Sequence, residues 1–304
     1  MRDRLVFTGI GAVTPLGPDL PSLAASVATG RHGIGAIPHF AGTQLADEPG
    51  GSIARAPGGR RGDAALDFAV RACREALAAS ELPASTRLGL VLGTTMAPRD
   101  RPLDALADEL RTALGLPDAP ALVVSTACTS GSAALAVAAQ LLDMGVCEAV
   151  LAGGTDELDP RSFGGFLALR LLARAPCTPF GQETGTTLGE GAAFFVLERE
   201  ASAARRARAP LAVLEGWGTT ADGFHATRPP PAGDGLARAA RAALADAGLD
   251  PSDVAWVSAH GTGTAANDAT EALALHSIFG QRGSAIPVTA SKSLVGHTLG
   301  AAGA

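Results

Sequence analysis

The sequence predicts an α/β fold in which buried strands alternate with amphipathic helices. Short apolar runs recur along the chain between Ala-rich segments that have helical spacing. Most of these runs are apolar at nearly every position, which is typical of strands covered on both faces of a sheet. A helix-length segment also recurs in the second half, which indicates a duplicated unit.

The individual elements follow from the same patterns. Short apolar runs predict strands at 5–10, 87–92, 121–124, 148–152, 192–198, 211–215, 254–259 and 286–290. Apolar residues spaced three to four apart predict helices at 64–79, 129–144, 234–247 and 268–278. The first strand is too short to span a membrane, and no later segment is long and apolar enough to do so.

The duplicated segment is RACREALAASEL at 71–82 and RAARAALADAGL at 238–249, which agree at seven of twelve positions. A buried strand is predicted after each copy, so we favour duplication over a chance likeness between Ala-rich helices. We therefore divide the chain into halves at 1–203 and 208–304, joined by a polar linker near 199–210. In the first half, the predicted strand at 121–124 is followed by a helix and two further strands. In the second half, the corresponding strand at 286–290 is followed by only a short stretch. This predicts that the second half is incomplete.

Charge and cysteine content argue against several functional classes. The net charge of −6 argues against nucleic acid as the main partner. We interpret the basic run Arg205, Arg206 and Arg208 as a solvated helix face. The four cysteines lie far apart and show no metal-ligand spacing, so we expect neither a metal site nor a disulfide framework. This favours a reducing compartment, the cytoplasm.

Cys128 is the first candidate for chemistry, in STACTSGSAALAVAAQLLDMG. Small polar residues follow it and suit a sharp turn and a helix start, which places Cys128 at a helix N-terminus. The N–H groups there favour a thiolate and are suited to stabilise an oxyanion. The alternative role is a small buried hydrophobic residue, which we assign to Cys73, Cys147 and Cys177.

His260 is predicted at the end of a buried strand, in AHGTGTAANDATEA. It lies among glycines and threonines that permit close approach of a ligand, and Thr262 and Thr264 offer hydroxyls to a thin polar chain. A lone histidine at a strand end is structural about as often as functional. Its neighbours favour a functional role.

Lys292 and His297 lie five residues apart in TASKSLVGHTLGAAGA. A lysine in a core is costly without a carboxylate partner, and Glu271 is the candidate. One-base cysteine chemistry, as in proteases, needs a single histidine. A thiol with two histidines therefore indicates a second chemical task.

Three motifs in this order, STACTSG, AHGTGT…ND…E and KS…GH…GAAGA, resemble those of the β-ketoacyl synthases. The resemblance covers nearly the whole chain, including VFTGIGAVTPLG at 6–17, VLAGGTDE at 150–157 and GEGAAFFVLE at 189–198. It implies the thiolase-like fold, with duplicated α/β halves in a layered α-β-α-β-α arrangement. It also implies further chain after GAAGA. Because chain-initiating relatives are expected to carry asparagine in place of His297, the motifs fit the elongating class.

The resemblance implies a decarboxylative condensation in fatty acid or polyketide biosynthesis. Cys128 takes an acyl group from the phosphopantetheine of an acyl carrier protein, and malonyl carrier protein then supplies the attacking carbanion. His260 and His297 assist loss of carbon dioxide and hold the enolate oxygen. Lys292 and Glu271 orient the histidines.

The resemblance also assigns substrate contacts and partners. The pantetheine arm is expected to meet Thr262, Thr264, His225 and Thr227. No metal or separate cofactor is implied, and we expect a homodimer or a heterodimer with a related subunit. Two other functions stay open: a non-catalytic fragment or partner-dependent subunit, and an unrelated cysteine hydrolase, which leaves His297 and Lys292 unexplained.

Overall fold

The computed structural model describes residues 3–55, 63–97 and 101–304, and the chain divides into two compact units. The first unit comprises Met1–Gly164, Leu188–Leu214 and Leu294–Ala304, and the second comprises Gly165–Thr187 and Glu215–Ser293. Both contain helices and strands, as the predicted α/β class requires. Among the residues described, no helix combines the length and the apolar character needed to cross a bilayer.

The helices and strands have the following bounds. In chain order they are β1 (Leu5–Val13), α1 (Leu20–Ala28), β2 (Ile34–Ala36), β3 (Pro49–Gly51), α2 (Ala64–Ser80), β4 (Leu88–Gly93), α3 (Ala105–Ala113), β5 (Ala121–Val124), α4 (Ser130–Asp143), β6 (Ala149–Asp156), α5 (Pro160–Ala168), β7 (Gly191–Arg199), α6 (Glu200–Arg205), β8 (Ala212–Leu214), α7 (Asp234–Ala247), β9 (Val257–Ser258), α8 (Ala265–Phe279), β10 (Val288–Thr289) and α9 (Lys292–Val295).

A mixed sheet in the order β5-β4-β6-β7-β1-β8 forms the centre of the first unit. β4 pairs in parallel with both β5 and β6, while β7 is antiparallel to β6 and β1, and β8 is antiparallel to β1. The parallel strands β4, β5 and β6 therefore end at one edge of the sheet. The residues that follow them, including Cys128, start from that edge.

Helices cover both faces of this sheet, as β4 shows. Leu90 and Leu92 lie in a buried cluster with residues of α2 and α3. Gly93 faces the opposite side, because side chains alternate along a strand. A Cβ atom at Gly93 would lie 2.5 Å from the backbone of Ser130, so the glycine lets α4 begin directly against the end of β4.

The four predicted helices are present as α2, α4, α7 and α8, and five predicted strands of the first half are present as β1, β4, β5, β6 and β7. β1 and β6 are longer than predicted. β6 is buried along its whole length and continues through the glycine pair Gly153 and Gly154 to Asp156. Adjacent backbone fills the space beside both glycines, which explains why strand pairing continues where composition indicates a turn.

The prediction of two buried strands at 254–259 and 286–290 is wrong in length and in burial. β9 and β10 pair in parallel over only two residues each. Trp256, just before β9, is 58% exposed, and Val288 in β10 is 40% exposed. A two-stranded sheet offers each strand a single neighbour, so there is little surface to sustain a longer buried pairing. Burial in the second unit is instead concentrated where Ala237 of α7 packs with Ala274 and Ile278 of α8.

The predicted polar linker near 199–210 contains the helix α6. The strand that follows it, β8, pairs with β1 at the edge of the six-stranded sheet. The division of the chain at 203–208 stays a prediction, since the compact units are interleaved in sequence.

The interpretation of Arg205, Arg206 and Arg208 as a solvated face is wrong for the last two. The Arg206 guanidinium forms an ion pair with the fully buried Glu198 of β7, and its side chain is only 18% exposed. The Thr8 hydroxyl donates a further hydrogen bond to the same carboxylate. Arg208 pairs with Glu81 and donates to the backbone oxygen of Ala79. The buried carboxylate of Glu198 therefore forms an ion pair with an arginine that the sequence pattern alone places in solvent.

Candidate active site

Cys128 lies in a tight turn between β5 and α4, two residues before the helix begins, and it is partly exposed. Ser130 holds this turn: its backbone N–H and its hydroxyl donate to the oxygen of Ala127 at 3.0 and 2.6 Å. Its Oγ also accepts from the N–H of Thr126 at 3.0 Å. Ala127 has a φ of 55°, in the left-handed region that non-glycine residues rarely adopt. The strained turn presents the Cys128 thiol beside the N-terminal end of α4.

The electrostatics of this end of α4 favour the thiolate form of Cys128. The hydroxyl of the N-cap residue Thr129 donates to the backbone oxygen of Thr126 at 2.7 Å, so this side chain does not cap the helix. The partial positive charge of the first-turn N–H groups therefore acts on the adjacent thiol. A thiolate is the nucleophilic form of cysteine.

His297 contacts the thiol directly. Its Nε2 lies 3.0 Å from Sγ of Cys128, and the imidazole is almost completely buried. The N–H of Leu299 donates to Nδ1 at 3.3 Å, so Nδ1 is an acceptor and the ring proton of the neutral form resides on Nε2. The imidazole therefore donates to sulfur, and the sequence-predicted pair of Cys128 and His297 is together in the first unit.

The backbone on both sides of His297 is fixed. Leu188 and His297 form an isolated parallel bridge, and the N–H of Gly189 donates to the oxygen of His297 at 3.0 Å. Gly296 has a φ of 78°, and a Cβ there would lie 2.6 Å from the oxygen of Leu188. Only glycine satisfies both requirements.

Asp156, at the end of β6, was not identified from the sequence and lies beside this pair. It is 3% exposed and accepts hydrogen bonds from the Thr94 hydroxyl at 2.7 Å and the Thr95 hydroxyl at 2.8 Å. The N–H of Gly300, three residues after His297, donates to its Oδ2 at 2.6 Å. The sequence signal was a carboxylate that directly follows an apolar strand in VLAGGTDE.

In the second unit, Glu271 and Lys292 hold the peptide groups around His260. Glu271 is buried, and its carboxylate accepts from the N–H of His260 at 2.7 Å and of Gly261 at 2.8 Å. Nζ of Lys292, also buried, donates to the oxygen of His260 at 2.5 Å. Lys292, predicted as a catalytic residue, and Glu271, predicted as a supporting one, therefore both contact the backbone of His260, while their direct pairing stays a prediction.

The imidazole of His260 is neutral at physiological pH. Burial, together with the nearby charge of Lys292, lowers its pKa from the ordinary value of 6.5 to about 4. A neutral imidazole has one N–H, which can donate to a developing negative charge, as a two-histidine site requires.

Asp268 and Asn267 were part of the quoted ND…E motif but were not assigned roles. Asp268 accepts from the N–H of Gly263 at 3.1 Å and of Phe180 at 2.6 Å. Asn267 donates to both Asp268 and Glu271. Because residues three apart share a helix face, the spacing of Asp268 and Glu271 in the sequence was the available signal.

Thr262 and Thr264 are adjacent, with their hydroxyl oxygens 2.9 Å apart. Gly261, just before Thr262, and Gly263, between the two threonines, have positive φ values of 46° and 79°, as the turn requires. Protein atoms lie beside both glycines on the side where a Cβ would stand, and their expected role in admitting a ligand stays a prediction. A Cβ at Gly261 would lie 2.6 Å from Ala290, and one at Gly263 would lie 2.6 Å from the oxygen of Gly185.

His225 and Thr227 are exposed and lie in the irregular segment between β8 and α7. The N–H of Thr227 donates to Nδ1 of His225 at 3.1 Å. Their contact with pantetheine stays a prediction. The other cysteines are buried, as expected, and burial raises the pKa of all three thiols: Cys73, Cys147 and Cys177.

Two family models match this chain. The model of the β-ketoacyl synthase N-terminal domain matches residues 112–203, and that of the C-terminal domain matches residues 211–304. The 3-oxoacyl-[acyl-carrier-protein] synthase 2 of Synechocystis sp. is 31% identical over 99% of this chain and 83% of its own length. The chain belongs to the β-ketoacyl synthase family. The Staphylococcus aureus synthase of the same description is 30% identical with the same coverage, so this β-ketoacyl synthase chain spans 83% of both relatives.

Solved β-ketoacyl synthase structures share the fold. The ishigamide ketosynthase/chain length factor superposes with a TM-score of 0.89 at 29% identity, over 99% of this chain and 83% of that one. A β-ketoacyl synthase from Burkholderia phymatum gives a TM-score of 0.86 at 29% identity, over 99% and 84%. A type II polyketide synthase ketosynthase in complex with its acyl-carrier protein gives 0.87 at 26% identity, over 99% and 84%. The predicted thiolase-like fold is confirmed.

Two buried groups give the β-ketoacyl synthase opposing dependences of stability on pH. Burial raises the pKa of Asp156 from 3.8 to about 6, so the folded state binds this proton more tightly than the unfolded state. The contribution of Asp156 to the free energy of unfolding therefore falls as the pH rises from about 4 to 6. The pKa of His260 is lowered to about 4, so its contribution rises between about pH 4 and 6.5. Each contribution is about 3 kcal/mol, and over the shared range they offset one another.

Asp156→Asn is expected to remove the falling contribution. As the pH rises from 3.5 to 7, the free energy of unfolding of this variant should increase by about 3 kcal/mol relative to that of the wild type. Urea denaturation at several pH values measures this difference. A constant difference between the two proteins across that range would contradict the assignment.

Glu271→Ala is expected to lower the free energy of unfolding by about 3 kcal/mol, because two backbone N–H groups lose their acceptor. Glu271→Gln keeps one acceptor oxygen and should lose less. The matched control is Glu183→Ala, which removes an exposed carboxylate of the same unit. Equal stability of the Glu271→Ala and Glu183→Ala variants would show that the carboxylate does not hold the His260 backbone.

Proposed function

We propose that this chain catalyses the decarboxylative condensation of an acyl thioester with malonyl-acyl-carrier protein to give a 3-oxoacyl-acyl-carrier protein. The hydrogen bond between His297 Nε2 and Cys128 Sγ at the start of α4 is the observation that carries the proposal. The relatives named as 3-oxoacyl-acyl-carrier-protein synthases support the reaction class.

In the first step, the Cys128 thiolate attacks the acyl carbonyl of an acyl carrier protein. The sulfur–carbon bond to Cys128 forms, and the bond to the phosphopantetheine sulfur breaks, so that the carrier leaves as a thiolate and takes a proton from solvent. The helix end and the His297 N–H stabilise the thiolate before the attack. The first-turn N–H groups of α4 are suited to the oxyanion that develops on the carbonyl oxygen.

In the second step, malonyl carrier protein loses carbon dioxide, and the electron pair of the broken bond forms an enolate. His260 and His297 each donate one N–H to the enolate oxygen. The α-carbon then attacks the acyl group on Cys128 and releases the thiolate. Both imidazoles must be neutral for this role, and the low pKa of His260 keeps it neutral throughout the physiological range.

The remaining predicted residues support these steps. Lys292 and Glu271 hold the His260 peptide from opposite sides, and so orient the imidazole. Thr262, Thr264, His225 and Thr227 are proposed to contact the pantetheine arm. The chemistry needs neither a metal nor a separate cofactor, because the substrates carry the phosphopantetheine.

The partners follow from the substrates and from the relatives. An acyl carrier protein delivers both substrates, and a related solved ketosynthase is bound to its acyl-carrier protein. A chain length factor accompanies another related ketosynthase, so a homodimer or a heterodimer with a related subunit is part of the proposal. We place the reaction in the cytoplasm, as the cysteine content predicted.

A product assay tests this function. The purified chain is mixed with malonyl carrier protein and with an acyl carrier protein that bears a short acyl thioester. The masses of the carrier-bound products are then measured by mass spectrometry. The 3-oxoacyl carrier protein should form only when both substrates are present. Release of free acid from the acyl thioester alone would favour a hydrolase, and absence of both products from a folded chain would favour the non-catalytic or partner-dependent alternative.

A further inference from the structure

We propose that Asp156 is a positioning residue for the Cys128–His297 pair, because its carboxylate holds the turn that sets the orientation of the His297 imidazole. This inference rests on the proposed function, in which His297 stabilises the thiolate of Cys128. Asp156 touches neither the thiol nor the reacting atoms, so it acts through the backbone at Gly300.

The carboxylate links two strand ends to this turn. Oδ1 accepts from the Thr94 hydroxyl at 2.7 Å, and Oδ2 accepts from the Thr95 hydroxyl at 2.8 Å, where both threonines follow β4. The Thr95 N–H is shared between the two oxygens at 3.2 and 3.0 Å. Oδ2 also accepts from the N–H of Gly300 at 2.6 Å, the shortest of these bonds. One buried side chain thus ties the turn after His297 to the ends of β4 and β6.

Glycines let this turn sit against the sheet and α4. A Cβ at Gly154 would lie 2.2 Å from the oxygen of Gly300, and one at Gly131 would lie 2.7 Å from the same oxygen. A Cβ at Gly300 itself would lie 2.7 Å from Oδ2 of Asp156 and 2.8 Å from Cα of Thr94. The turn therefore fits a slot that admits only backbone, and the carboxylate forms one wall of that slot.

The position of Gly300 is transmitted to His297 through Leu299. Leu299 has a φ of 52°, which a leucine adopts only when its surroundings impose it. In this conformation its N–H points to Nδ1 of His297. Displacement of Gly300 would relax Leu299, remove the donor from Nδ1 and allow the other tautomer of the imidazole. That tautomer has no proton on Nε2 to donate to Cys128.

The burial of a charge at this point supports a role beyond folding. Because burial raises the pKa of Asp156 to about 6, the ionised carboxylate costs stability at neutral pH. All the groups that contact this carboxylate are donors, and charge-assisted hydrogen bonds to backbone N–H groups are stronger than neutral ones. Asp156 lines a small cavity together with three other charged residues, Glu157, Asp159 and Arg161.

Two readouts that need no substrate test the inference. The first is the rate at which iodoacetamide alkylates Cys128 at pH 7, followed by intact mass. The second is the nitrogen spectrum of histidine-labelled protein, in which His297 should show an acceptor Nδ1 and a protonated Nε2. The proteins compared are the wild type, Asp156→Ala, Asp156→Asn, His297→Ala and the double variant Asp156→Ala/His297→Ala. The matched control is Glu157→Gln. In the wild type, the carboxylate of Glu157 accepts from the N–H of Ala64 at 3.1 Å.

Asp156→Ala is expected to slow alkylation by about tenfold, similar to His297→Ala, because each removes one hydrogen bond to a thiolate. The double variant should be no slower than His297→Ala alone, since both changes act through the same bond. Asp156→Asn keeps one acceptor oxygen, so it should be intermediate in rate and should mix the His297 tautomers. Glu157→Gln should match the wild type in both readouts.

Several outcomes would overturn the inference. One is a folded Asp156→Ala variant that matches the wild type in rate and tautomer, and another is a double variant in which the two losses multiply. If Asp156→Ala does not fold, an Asp156→Asn variant with wild-type rate and spectrum overturns it. Failure of the proposed function is a separate result, in which the wild type takes up no acyl group while the alkylation rates still follow the expected order.

Discussion

Cys128→Ala is expected to abolish condensation, with a loss of at least about 10³-fold in the rate of 3-oxoacyl product formation. The turn that presents this thiol is strained at Ala127 and is held by Ser130, so the sheet and α4 position the sulfur before any substrate arrives. Alanine removes the nucleophile and leaves that turn intact. The variant should therefore melt within a few degrees of the wild type.

The matched control for this variant is Cys147→Ala. Cys147 is buried, and burial raises the pKa of its thiol, so it contributes little thiolate at neutral pH. Production of the 3-oxoacyl carrier protein is measured for all three proteins by mass spectrometry. Product formation by the Cys128→Ala variant at more than a few per cent of the wild-type rate would contradict the assignment of the nucleophile.

His260→Ala is expected to separate the two steps of the reaction. Acyl transfer to Cys128 should continue, because His297 contacts the thiol and remains in place. Malonyl-dependent condensation should fall by about 10²–10³-fold, the usual loss when one donor to a developing oxyanion is removed. Rapid-mixing experiments that record the acylated chain and the product separately measure both steps.

His276→Ala serves as the matched control, since it removes an exposed histidine of the same unit. It should leave both steps at wild-type rates. Equal losses in acyl transfer and in condensation for His260→Ala would assign His260 to the first step, and no loss in either would remove it from the mechanism.

The place of candidate site residues in the fold was predictable where local signals mark it. Cys128 follows an apolar strand and precedes small polar residues that begin a helix, and the structure places it at that point. Amphipathic spacing marks α2 and α7 equally well, because their ends coincide with changes in polarity. In these cases the information lies within about ten consecutive residues.

Contacts between residues distant in sequence were not predictable. Asp156 binds Gly300, 144 positions later, and no local pattern marks that pair. Arg206 looked solvated because its buried partner, Glu198, lies on a strand that the hydrophobic pattern alone describes as apolar. β9 and β10 were predicted too long because apolar composition cannot tell whether a neighbouring layer covers a strand.

Acylation of Cys128 is the step on which the proposed function depends most directly. The purified chain is mixed with an acyl carrier protein thioester, without malonyl carrier protein, and its intact mass is recorded alongside that of the Cys128→Ala variant. We expect a mass increase of one acyl group on the wild type, with none on the variant. A folded wild type without the increase, or an equal adduct on the variant, would contradict the proposed function.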